Sequence, residues 1–267
     1  MCSNATQHNW KLVLAYDGTD LHGWQVQPGL PTVQGLLAGA ITRITGKTVL
    51  PQGSGRTDAG VHAEGQVASF ALDATIPVEN LHHALNRALP PGIRILSIEE
   101  VPPGFHARHS VRQKTYEYRI FTAGICPPTL ARYVHVCRWN LDLAAMQQAA
   151  QCVLGEHDFS SFAASDPDRS TRTAAQTGEP LEASNARTIY SSQWSSGPCP
   201  GGQLLRYSVC GNGFLHHMVR NLAGTFIEVG CGRLTPADLP RILAAQNRSA
   251  AGPTAPASGL FLMHVGY

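Results

Sequence analysis

The sequence predicts an α+β fold, and three observations predict it. Strand-like alternation and helix-like spacing follow one another in the order β-α-β-β-α-β over residues 10–101. Pro-Pro-Gly at 102–104 then punctuates the chain. The remainder uses the same strand-and-helix grammar with additions, although no internal repeat is visible in the sequence. The split β-α-β pattern is that of ferredoxin-like or RNA-recognition-type units, with helices on one face of an antiparallel sheet. Two α/β subdomains are expected, at 9–104 and 105–267, the second with a long loop near 163–186.

Each element has its own justification. Residues 10–16 (Trp-Lys-Leu-Val-Leu-Ala-Tyr) read as a strand that Asp17-Gly18 turns. Residues 20–27 form a loop whose Trp24 either packs in the core or walls a cleft. A helix over 32–45 follows from Thr32 as N-cap, an apolar stripe at Val33, Leu36, Leu37, Ala40, Ile41 and Ile44, and Gly46 as stop. Strands are expected at 48–50, 66–72 and 93–101, with a helix at 77–89 between the last two. Residues 114–122 alternate cleanly, placing Tyr116, Tyr118 and Ile120 on one face. Later helices are predicted at 141–154, 216–230 and 235–245, and later strands at 187–194, 204–211 and 260–265. Residues 165–185 read as a polar surface loop.

Composition removes several classes of function. No apolar run is long enough to span a membrane, and the polar start lacks a signal-peptide core, so a cytoplasmic location is expected. Seven scattered cysteines without a Cys-x-x-Cys pair argue against a disulfide framework or a thiolate zinc site. The adjacent pairs His82-His83 and His216-His217 point about 100° apart on a helix and make no metal-ligand pair. No metal site is expected. There is no phosphate-binding loop, nucleophile elbow or other cofactor motif. Net charge is only +2, yet 17 of the 20 basic residues are Arg, which suits phosphate contacts and a GC-rich genome equally. Locally, Arg108, Arg112, Lys114 and Arg119 face Glu117 alone between 104 and 119, as either a phosphate track or a solvated connector.

One carboxylate stands out. Residues 53–65 contain Gly53, Gly55, Gly60 and Gly65, with Arg56 and Asp58 between them. Glycines on both sides let a backbone approach a ligand closely, while the plainer reading is a turn capped by Asp58. Asp58 has the chemistry of a nucleophile or general base, provided a guanidinium such as Arg220 keeps it ionised under a substrate. Tyr116 offers an aromatic face to a base. His62 and His216 are the most plausible neighbours of such a site.

Gly55-Arg56-Thr57-Asp58-Ala59-Gly60-Val61-His62 closely resembles the signature of the TruA family of tRNA pseudouridine synthases. Tyr16-Asp17-Gly18 with Gly23-Trp24-Gln25, Phe105-His106-Ala107-Arg108, Tyr116-Glu117-Tyr118, the stretch 155–162, Phe214 through Asn221 and the stretch 255–260 resemble further blocks in family order. The resemblance implies the pseudouridine synthase fold, two subdomains with mixed, mainly antiparallel sheets meeting at a central cleft. It implies isomerisation of uridine to pseudouridine at tRNA positions 38, 39 and 40, in the anticodon stem-loop, with no cofactor. By the same resemblance Asp58 is the nucleophile, Arg220 its salt-bridge partner and Tyr116 the ring that stacks on the uracil. Arg56 would steer the flipped base, and Arg108, Arg112, His62 and His216 would contact RNA. A homodimer is implied, with tRNA as partner and no protein partner evident. Residues 163–186 depart from the family pattern, so neither Arg172-Thr173 nor Arg187-Thr188 receives a role. A non-catalytic tRNA-binding or folding module using the same cleft is the alternative, and a glycosidic-bond hydrolase is a second.

Overall fold

The computed structural model describes residues 8–165 and 184–267. The described chain groups into two compact units, one of residues 8–117 with Ala257–Tyr267, the other of residues 118–256.

In the first unit the order is β1 (His8–Tyr16), α1 (Val33–Thr45), β2 (Gln52–Gly53), β3 (His62–Leu72), α2 (Val78–Ala88) and β4 (Ile93–Val101). This is the β-α-β-β-α-β order expected. β1 is central, antiparallel to both β3 and β4. β2 pairs with β3 at Gln52↔Ser69 and Gly53↔Ala68. The sheet therefore runs β4-β1-β3-β2, the ferredoxin-like arrangement. Alternation along β1 buries Trp10, Leu12, Leu14 and Tyr16 together. Leu37 and Ile41 of α1 and Leu81 and Leu85 of α2 are also buried, each contributing about 1.5–3 kcal/mol through lost water contact. Thr32 caps α1 by accepting the Gly35 N–H at 3.3 Å, and Gly46 closes it in the left-handed region.

Two expectations shift here. The strand expected at 48–50 is instead the two-residue β2, because only Gln52 and Gly53 lie against β3. Leu50 is exposed. β3 begins at His62 rather than 66, so Gly65 sits inside a strand. The closing strand β10 (Leu260–Gly266) runs parallel beside its start, at Phe261↔His62. A Cβ on Gly65 would lie 2.3 Å from the Met263 carbonyl oxygen, so only glycine lets the two strands close. Trp24 is a core residue.

β5 (Gln113–Thr122) begins in the first unit, where the Arg112 N–H reaches the Gly266 carbonyl at 2.9 Å, and continues into the second. The second unit then adds α3 (Pro128–Ala131), β6 (His135–Val136), α4 (Leu143–Gln151), β7 (Gly155–Asp158), β8 (Ala186–Cys199), β9 (Gly202–Gly211), α5 (Met218–Gly230) and α6 (Asp238–Ala245). Its strands run β5-β9-β8-β7. The hairpin ladder of β8 and β9 extends to Cys199↔Gly202, past the expected ends. Trp194, Tyr207 and Phe226 stack and tilt together in the core of this unit. The expected α5 start at 216 moves to Met218, because His217 takes a left-handed conformation (φ 59°) that breaks the helix. Helix α6 starts at Asp238, whose carboxylate accepts both the backbone N–H and the hydroxyl of Thr235 at 2.9 Å. The polar loop expected at 165–185, with Arg172-Thr173, lies almost wholly outside the described residues. No described helix is long and apolar enough to cross a membrane.

Candidate active site

The glycine-framed stretch forms the loop between β2 and β3 of the first unit. Asp58, Ala59, Gly60 and Val61 make a tight turn: the Val61 N–H reaches the Asp58 carbonyl at 3.1 Å, and Gly60 has φ 78°. The backbone at Asp58 is thus a turn. Arg56 is exposed, Thr57 buried and Asp58 half-buried.

The segment after β1 pins this loop from one side. The Trp24 N–H donates to the Thr57 carbonyl at 3.0 Å, and the Gly60 N–H to the Leu21 carbonyl at 3.2 Å. Gly23 makes this docking possible, since it has φ 81° and a Cβ there would stand 2.5 Å from the Thr57 oxygen. The Gly18 N–H lies 3.0 Å from His62 Nδ1, and an Asp17 carboxylate oxygen lies 3.3 Å from the same nitrogen. His62 is 1% exposed and stacks on Phe261 with ring centroids 4.6 Å apart.

Other residues hold the loop from within. The Tyr16 hydroxyl is 2.8 Å from the Thr57 hydroxyl, and burial pushes the Tyr16 phenol up to about 12. Lys114 Nζ donates to the Ser54 carbonyl at 2.8 Å. Burial, reinforced by the charge of Arg108, pulls the Lys114 ammonium down to about 8. Lys114 and Tyr116 are two apart on β5 and so share a face. Tyr116 is 8% exposed. Burial raises its phenol well above the ordinary range, and Tyr16 and Asp58 raise it further. Tyr116 is therefore a neutral phenol within electrostatic reach of Asp58.

The first unit thus brings together Asp58, Tyr116 and Tyr16, and places Arg108 near Lys114. Arg108 and Arg112 are exposed, as a phosphate contact requires, whereas His62 presents no surface for RNA. Tyr16 and Lys114 received no catalytic role from the sequence. The usable signal was the period of their strands, which points Tyr16 inward from β1 and Lys114 to the side of Tyr116.

Arg220 and His216 belong to the second unit. Arg220 lies in the first turn of α5, its Nε donating to the Ala255 carbonyl at 2.8 Å, while the Ala255 N–H returns to the Arg220 carbonyl at 3.1 Å. Arg220 thus places a cation at a helix N-terminus, where the helix dipole disfavours one. Asn221 anchors the turn: its side chain donates to the Phe162 carbonyl at 2.7 Å and accepts from Thr254 at 2.6 Å. His216 is half-buried, with Nδ1 2.9 Å from the Ser165 carbonyl oxygen. Arg187 lies in β8, where its guanidinium donates to the Ser184 and Ala186 carbonyls.

A family model described as tRNA pseudouridine synthase matches residues 12–110 and 149–267. The unmatched stretch between them contains Tyr116, whose placement therefore rests on the geometry above. tRNA pseudouridine synthase A of Solibacter usitatus is 49% identical over 257 residues, covering 96% of this chain and 98% of that protein. The protein of the same name from Moorella thermoacetica is 44% identical over 259 residues, covering 96% and 98%. That from Brevibacillus brevis is 44% identical over 257 residues, with the same coverage. A rigidly held, half-buried Asp at a glycine turn beside a neutral tyrosine, on a chain that matches such relatives from end to end, leads to one assignment: the chain belongs to the tRNA pseudouridine synthase family.

Proposed function

We propose that this enzyme isomerises uridine to pseudouridine at positions 38, 39 and 40 of the tRNA anticodon stem-loop, with Asp58 as nucleophile. The observation that carries the reading is the fixed backbone of the Asp58 turn, with the carboxylate half-buried beside Tyr116. The N1–C1′ bond breaks, the uracil turns, and a C5–C1′ bond forms. The C5 proton leaves to solvent and N1 takes one up, so atoms and electrons balance without a redox partner.

Tyr116 stacks on the uracil, a role suited to a buried, uncharged ring. Arg220 is the salt-bridge partner of Asp58; its place at a helix start, where a cation is disfavoured, supports a partner of opposite charge. Exposed Arg56 guides the extruded base, and exposed Arg108 and Arg112 follow the phosphates. His62, being buried, braces the loop. His216 stays assigned to RNA through its half-exposed edge. The enzyme works as a homodimer in the cytoplasm.

The test uses anticodon-arm tRNA carrying tritium at uracil C5. Isomerisation predicts tritium in water while the RNA chain and its uracil content stay intact. Tight binding with no release would support a folding module instead. Free uracil would point to hydrolysis.

A further inference from the structure

Behind the Asp58 loop lies a buried amide that no step above uses. Gln66 of β3 is 0% exposed. Its Nε2 donates to the Gly55 carbonyl at 3.0 Å and approaches the Tyr16 hydroxyl at 3.5 Å. Its Oε1 accepts the Ser54 hydroxyl at 2.6 Å and the Val67 N–H at 3.1 Å. Both donors and both lone pairs of the amide are engaged, and the Val67 N–H fixes which end is oxygen. Tyr16 passes the network on to Thr57. Ser54, Gly55 and Thr57 are therefore held from inside, while Arg56 between them is turned outward.

We propose that Gln66 is a positioning residue for the isomerisation, setting the place of the Asp58 carboxylate relative to Tyr116 through the backbone before it. The inference rests on the reading of Asp58 as nucleophile. A catalytic group misplaced by about 1 Å loses on the order of a hundredfold in rate, so a fully satisfied amide under the loop bears directly on turnover. Leucine in its place would strip this partner from the half-buried Gly55 carbonyl and the buried Ser54 hydroxyl. Glutamate keeps the shape, but as a carboxylate it opposes the Gly55 oxygen, and only its protonated form donates there.

The experiment compares Gln66→Glu, Tyr16→Phe and Asp58→Asn with wild type for tritium release, tRNA affinity and thermal unfolding across pH 5.5–8.5. Around the network, Tyr16 stays neutral over that range, Lys114 at Ser54 changes charge near 8 in wild type and variant alike, so the variant is read relative to wild type at each pH, and Asp58 lies beyond Thr57. Gln66→Glu should keep tRNA affinity within about threefold while kcat falls about a hundredfold at pH 8. It should recover toward wild type as pH falls and the new carboxyl protonates. Tyr16→Phe should lower kcat about tenfold with KM unchanged, a reading that holds even if Gln66→Glu does not fold. Wild-type kcat in Tyr16→Phe, or a Gln66→Glu loss that is flat with pH or shared equally by KM, would overturn the proposal. Full activity in Asp58→Asn would instead overturn the nucleophile reading beneath it.

Discussion

In the proposed reaction Asp58 must meet a nucleotide and yet not wander, and the two needs are met by different neighbours. Gly60 gives the turn, while Trp24, Leu21, Gln66 and Tyr16 fix it. Lys114 adds a further hold and a testable signature. Its folded pKa is about 8 against a usual value of 10.5, so between those values the unfolded chain binds more protons. Stability should therefore rise with pH across that window. The uncharged amine still donates to Ser54, so the bond survives deprotonation. Urea midpoints at pH 7.5 and 10 should show wild type gaining on Lys114→Met; a pH-independent difference would contradict the assignment. At this scale the roles proposed for Asp58, Tyr116 and Arg220 come from ordered motifs. Gln66 and Lys114 were not legible, because a lone polar residue in a strand does not declare what it faces. The burial of His62 was not legible either, because most of β3 beyond Glu64 is buried on both faces and shows no alternation.

Elements were legible wherever local chemistry decides them. Thr32 and Gly46 bound α1 as expected, and β1, and β5 as far as Ile120, follow their alternation. Misplaced boundaries occur where a distant strand decides. β2 exists only where β3 runs beside it, and β3 starts early because β10 returns from the far end of the chain. The close approach at Gly65 gives a prediction for the sheet. Gly65→Ala should destabilise the protein by about 1–3 kcal/mol, since the Met263 backbone cannot yield as a side chain would. Chemical denaturation reads this directly, and an unchanged midpoint would show that β10 does not need the gap. The start of α5 was missed because His217 adopts a conformation that non-glycine residues rarely take, which no periodicity signals.

For the whole molecule, the proposed function draws on residues far apart in the sequence. The loop that carries Asp58 is completed by β10, and Arg220 lies on α5. If Arg220 serves Asp58, Arg220→Ala should reduce kcat by at least about tenfold while tRNA affinity changes little. Equal losses in both would make it a phosphate contact or a structural residue. Sedimentation should give twice the 28.6 kDa chain mass for the proposed homodimer. The most direct test remains single-turnover tritium release by Asp58→Asn, with tRNA affinity measured on the same preparation. The account predicts release falling on the order of a thousandfold or more with affinity within about threefold of wild type. Release within tenfold of wild type would contradict it.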